Sequence, residues 1–244
     1  MMVRKQAEEY ATVWERPEPV ERPVLSSLSR DRIVRAAIEL ADAEGLGAVS
    51  FRRIAGVLEA GPMRLYGYLA TKEELFDLMV DAVYAEIVPA NTSASGWRAR
   101  LTEIAHRTRE TALRHDWLVD LFGGRPNIGP NGLAFHEASL AALDEVAGFE
   151  QVDTMMDAIG AVHGYVLGAV RAEVTERRAE RATGMDEQHW QQANGAYMTK
   201  MLATGAYPML ARVVEDASHP APGTAFTARL EAVLDGIEAR FRTA

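Results

Sequence analysis

Cysteine is absent from the 244 residues, which removes disulfides, thiolate metal sites and cysteine nucleophiles at once. A reducing compartment is the simplest setting, and a cytoplasmic location is the expectation. No stretch approaches the roughly 18 uncharged apolar residues of a membrane span. The N-terminal "MMVRKQAEEYATVWERPEP" carries charges where a signal peptide needs an apolar run. No membrane partner is therefore expected. Catalytic fingerprints are also missing: there is no G-x-S-x-G, no phosphate loop and no dinucleotide motif. The histidines, His106, His115, His136, His163, His189 and His219, show neither H-x-x-x-H nor H-E-x-x-H spacing. The chain is expected to be no enzyme and to hold no metal or other cofactor.

Strand signals are scarce as well. No convincing alternation of β-branched and aromatic residues occurs, while helical periodicity runs almost throughout a chain that is 48% hydrophobic. The fold class expected is all-α, with enough apolar side chains for a sizeable core. Residues 1–28 hold Pro17, Pro19 and Pro23 among charges and read as an extended or disordered arm. Ser29 then caps a helix bearing Ile33, Ala37, Leu40 and Ala41, which Gly45 and Gly47 end. Ser50 caps a short second helix with Ile54 and Leu58 facing inward.

The stretch "EAGPMRLYGYLATKEEL", residues 59–75, is crowded and brief. Pro62 opens a helix that, if it runs over 62–69, puts Pro62, Leu65 and Leu69 on one side and Met63, Arg64 and Gly67 on the other. Tyr66 and Tyr68 flank both faces, each with a ring for the core edge and a hydroxyl for a phosphate. Thr71-Lys72-Glu73-Glu74 reads as a capping box that starts a fourth helix, to about residue 88. Three short helices, the third with a free polar face, are how a helix-turn-helix addresses the major groove. Charge agrees weakly. Residues 29–72 carry seven Lys or Arg against five Asp or Glu, on a chain whose net charge is −9.

Residues 32–83 resemble the N-terminal domain of the tetracycline-repressor (TetR) family of transcriptional regulators. The resemblance rests on Ala36-Ala37-x-x-Leu40 through Gly45, on Ser50-x-Arg52-x-Ile54-Ala55, on Leu65-Tyr66 and on Lys72-x-x-Leu75. It implies a helix-turn-helix DNA-binding domain over 29–72, a connecting helix over 71–88, and a larger helical domain over 89–244 for effector binding and dimerisation. It also implies a ligand-responsive regulator, by default a repressor, which binds a palindromic double-stranded DNA operator as a homodimer and is released by a small-molecule effector. Carried over by position, Arg52, Tyr66, Lys72 and Ser50 would hold phosphates. Gly61, Pro62, Met63, Arg64, Gly67 and Tyr68 would meet the groove, with Arg64 suited either to guanine O6 and N7 or to a phosphate. Glu59 departs from the family, which usually has glycine in this turn. It must adopt a left-handed backbone or shift the turn, unless Gly61 supplies the flexibility. Gly67 carries no side chain to read a base. A helical small-molecule-binding protein that has lost sequence-specific DNA binding is thus the alternative.

Beyond residue 90 the residues say less. A helix is expected from Trp97 to about His115. "LFGGRPNIGPNG", residues 121–132, is a candidate pocket rim. Long helices follow over about 150–181 and 224–242, the first with glycine at 160, 164 and 168, which fits close packing in a four-helix dimer interface or room beside a ligand. His106, Trp117, Phe122, Met155, Met156, His163 and Tyr165 mix apolar surface with polar tips and are the effector-pocket candidates.

Overall fold

The computed structural model describes residues 12–19, 28–88, 94–123 and 125–241. Among them there are ten α-helices and no strand, so the protein is all-α. The helices are α1 Arg30–Glu44, α2 Phe51–Val57, α3 Pro62–Leu65, α4 Lys72–Ile87, α5 Trp97–Arg114, α6 Pro130–Ala141, α7 Val152–Thr183, α8 Glu187–Leu202, α9 Pro208–Asp216 and α10 Pro222–Phe241.

Of the four N-terminal helices, α1, α2 and α4 start where a side-chain oxygen meets an unpaired backbone N–H, while α3 starts at Pro62 with no side-chain cap. Ser29 accepts from the Arg32 N–H, Ser50 from that of Arg53, and Thr71 from that of Glu74. Glu74 completes a variant of the capping box, taking the N–H of Ala70 at 2.8 Å. The face of α1 carrying Ile33, Ala37 and Ala41 is buried against α2 and α4, and Gly45, at φ 81, ends the helix. The first three helices and the start of α4 thus form one small bundle.

α4 leaves that bundle and enters the rest of the molecule. Leu75, Met79, Val83 and Ile87 form its buried stripe, and it packs on α1, α5 and α6. α7 lies along both α5 and α10, burying Ala158, Val162, Val166, Val170 and Val174 against Leu230, Leu234 and their neighbours. Gly160, Gly164 and Gly168 sit on the opposite, exposed side of α7, and a Cβ built on any of them meets nothing within 4 Å. Close packing against another helix of the same chain is therefore not their role. The excursion α8–α9 has no buried residue and leaves Trp190, Tyr197, Met209, Leu210, Val213 and Val214 in solvent. No helix among the described residues is long and apolar enough to cross a membrane.

The N-terminal arm requires correction. Residues 1–11 and 20–27 lie outside the described residues, but the segment between them is docked. Val13 is 3% exposed within the main core and Arg16 only 2%. Val13 and Trp14 give this charged stretch an apolar pair to bury, and that pair outweighs its prolines.

Candidate functional site

The third helix is shorter than its spacing suggests, four residues followed by turns to Tyr68. An isolated helix of that length does not hold. It persists because Leu65 and Leu69 are fully buried at its inner side. Gly61, Pro62, Met63, Arg64 and Tyr66 are exposed around it, Met63 to 79%, and Arg52 and Lys72 are exposed nearby. Pro62 therefore does not face inward with the leucines; at the first helical position its missing N–H costs nothing. Phe51 meets Tyr66 edge-on at 4.7 Å, which joins the start of α2, where Ser50 and Arg52 sit, to the end of α3. Lys72 rests over the Phe76 ring at 4.9 Å, leaving its charge at the helix start.

Tyr68 is not part of this face. It is 2% exposed, and its hydroxyl donates to the Leu28 carbonyl at 2.8 Å, so it has none left for a phosphate. Alternate residues of a turn point to opposite sides, and here Tyr66 takes the outer one. Gly67 is half-buried beside Pro19, whose Cγ would lie 3.6 Å from a Cβ at position 67.

Glu59 occupies the left-handed region at φ 51. The Ala60 N–H reaches the Ala55 carbonyl and the Glu59 N–H that of Gly56, the paired bonds of a Schellman helix end. Glu59 takes the place that glycine usually fills there. Gly61 does not supply the flexibility; its φ is an ordinary −70.

From the second turn of α4 onward, Phe76, Asp77, Val80 and Tyr84 wall a cavity of about 380 Å³. Thr108 of α5, Leu121 to Gly123, Arg125 to Asn127, Phe135 and His136 of α6, and His163, Val166 and Leu167 of α7 complete it. The His163 ring stacks on Phe135 at 5.0 Å with 20° between planes, and its Nε2 lies 3.5 Å from Ser139 Oγ. Burial, with the charge of His136 adding to it, pulls His163 down to about 4. Burial also lowers His136, whose Nε2 has no hydrogen-bond partner among the described residues. Burial raises Tyr84, so its phenol keeps its proton. The interior is thus aromatic and uncharged at neutral pH, with exposed Asp77 and Arg125 at the mouth.

The rim is tied to α4. Asp81, 5% exposed, accepts from the backbone N–H groups of Asn131 and Gly132 and from the Asn131 amide, all near 3 Å. A carboxylate at a helix N-terminus is favourable, and this one fixes α6 to the middle of α4. Asn127 donates to the Asp77 carbonyl and accepts from the Gly129 N–H.

Of the seven pocket candidates, Phe122 and His163 line this cavity and the other five do not. Trp117 is fully buried, its indole N–H donating to Asp42 at 2.7 Å; His115 bridges Asp42 and Glu86 beside it. That polar cluster closes the seam between α1 and α5. His106 packs edge-on against Phe226 near Thr227. Tyr165 donates to the Phe226 carbonyl at 2.6 Å, beside a separate open groove. Met155 packs on the core, while Met156 is 56% exposed. Tyr84, Phe135 and His136 were missed because each sits on a helix whose apolar stripe reads simply as core. Among the described residues no three His, Cys, Asp or Glu side chains gather as metal ligands.

Residues 88–241 match the family described as the tetracyclin repressor-like C-terminal domain. The chain is 36% identical to the HTH-type transcriptional repressor DrrR1 of Streptomyces coeruleorubidus, over 93% of this chain and 83% of that one. It is 38% identical to an HTH-type transcriptional regulator of Saccharopolyspora erythraea, over 70% and 71% respectively. Among solved structures, ActR of Streptomyces coelicolor in complex with actinorhodin is similar at a TM-score of 0.71 and 27% identity, covering 87% of this chain and 98% of that one.

Proposed function

Because the chain belongs to the tetracycline-repressor family and is a transcriptional regulator rather than an enzyme, we propose that it is a repressor that binds a palindromic operator as a homodimer and is released by a small molecule. Residues 29–72 are the DNA-binding domain and 89–244 the effector-binding and dimerisation domain. The observation that carries this reading is α4, which begins four residues after the turns that follow α3 end at Tyr68 and walls the cavity from its second turn onward. A ligand that shifts α4 shifts the pair of α3 helices that must span successive major grooves, about 34–36 Å apart. Such coupling is ordinarily about 5–150-fold in affinity.

The DNA face is Gly61, Pro62, Met63, Arg64 and Tyr66, with Arg52, Lys72 and Ser50 on phosphates. Arg64 reads a base. The glycine face of α7 and the exposed apolar residues of α8–α9 suit a second copy, since monomers rarely leave such surface in water. The effector is a flat, fused aromatic molecule with oxygen substituents. Phe76, Tyr84, Phe122 and Phe135 supply faces, and the neutral imidazoles of His136 and His163 exchange hydrogen bonds with hydroxyl or carbonyl oxygens. The similar ActR is solved in complex with a small molecule, actinorhodin, which supports an effector in this chain's helical domain.

The test is selection of bound sequences from a randomised duplex pool at stated salt. Enrichment of a two-fold-related sequence is expected. A folded dimer that enriches none would overturn the repressor reading in favour of a ligand-binding protein without an operator.

A further inference from the structure

Residues 12–19 touch both working ends of the molecule. At one end, Arg16 forms a two-point ion pair with Glu74, Nη1 to Oε1 at 3.0 Å and Nη2 to Oε2. Glu74 is also the acceptor for Ala70, so this pair holds the first turn of α4 and the chain leading into it. The Pro17 carbonyl and the Glu18 carboxylate accept from Arg30, and Arg30 Nε donates to the Tyr68 carbonyl at 3.2 Å. Pro19 lies against Gly67. The backbone immediately after α3 is therefore braced by this segment.

At the other end, Trp14 packs on Gly129, directly after the cavity rim. A Cβ at Gly129 would collide with both the Trp14 indole and the Asp81 carboxylate, so only glycine admits this approach. Gly129 donates to Asn127, which lines the cavity, and Asn131 and Gly132 donate to Asp81. Trp14 Nε1 is buried and has no partner among the described residues, so the indole contributes shape rather than a hydrogen bond.

We propose that Thr12–Pro19 is a strap that carries effector occupancy from the cavity rim to the DNA-reading turn, alongside α4, with Trp14 as the rim contact and Arg16 as the anchor. Movement of the rim displaces Trp14. Arg16, two residues on, then pulls on Glu74 and the start of α4. The proposal rests on the regulator reading above. Trp14 and Arg16 are positioning residues; neither is placed on the DNA face or in the cavity lining.

Linkage is reciprocal, so operator binding must be felt at the rim, and the test needs no effector. The probe is the selected operator duplex, added to the full-length dimer, with backbone hydrogen exchange followed over residues 121–132. In the wild-type chain, duplex should change rim exchange by about fivefold or more. Trp14→Ala should measurably reduce that response, leaving the share carried by α4 through Asp81, while duplex affinity and protection over residues 50–68 stay as in wild type. Trp14→Phe should restore it, because the ring fills the Gly129 contact without the N–H. An undiminished response in Trp14→Ala, or a rim in the wild type that ignores bound duplex, would overturn the strap and leave the regulator reading standing. A wild-type dimer that holds no duplex would overturn both.

Discussion

The α3 turn and the cavity lie about one turn of α4 apart, yet they are built in opposite senses. In the turn, two buried leucines hold a four-residue helix whose other side chains point into solvent. Around the cavity, rings from α4, α6 and α7 point inward, and burial strips the charge from its two histidines. The first arrangement suits a charged, hydrated partner as large as a duplex, and the second a small apolar one. Both lie against one helix, α4, and in the proposed function that shared helix is what couples the two kinds of recognition.

The largest expected effect tests whether the turn depends on its two anchors. Leu65→Ala should lower stability by roughly 2–5 kcal/mol, as removal of a fully buried leucine does, read as a shifted urea midpoint. A loss below 1 kcal/mol would mean that α3 is held by something other than packing.

Acidification probes the opposite end. His163 titrates near 4 in the folded chain against 6.5 ordinarily, so the unfolded chain binds its proton first as pH falls. Stability is complete above about 6.5 and declines between there and about 4, by about 3 kcal/mol in all. His163→Gln should remove most of that decline in urea melts taken from pH 7 to pH 4, whereas a substitution in the α3 turn should leave it unchanged.

Readout separates the outward side chains from one another. Arg64→Ala should cost about 1–3 kcal/mol at one base pair per half-site and relax the preference there. Lys72→Ala should weaken all duplexes about equally and lower the salt slope by about one. Binding titrations on single-position operator variants at two salt concentrations check both.

The smallest change concerns Glu59. Glu59→Gly relieves a left-handed backbone at a Schellman end and should stabilise the fold by at most about 1 kcal/mol. If base preference is unchanged in a repeated selection, the carboxylate takes no part in readout.

The two regions also differ in how far the sequence discloses them. Ser29, Ser50, Thr71 and Gly45 are local signals, each acting within four residues, so the small bundle is legible from a linear string. The cavity draws on α4, α5, the loop residues 121–123 and 125–127, α6 and α7, and no spacing rule joins such distant stretches. Phe122 and His163 were found because one lies in a glycine-rich loop and the other stands out on an apolar helix. Trp117 misled, because an indole with a distant carboxylate partner looks the same in sequence as one lining a pocket. Tyr68 was misplaced by a helix assumed to run four residues too far. α8 and α9 went unread because they bury no stripe within the chain. The docked Val13–Arg16 stretch was concealed among prolines and charges.

The central claim is that occupation of the cavity controls the α3 turn through α4. It is tested most directly by titrating the selected operator with the dimer in the absence and presence of a fused-ring hydroxyquinone, chosen from a panel as the tightest binder of the duplex-free protein. The account predicts that saturation with this compound weakens operator binding by about 5–150-fold. Unchanged operator affinity while the compound occupies the cavity would contradict it.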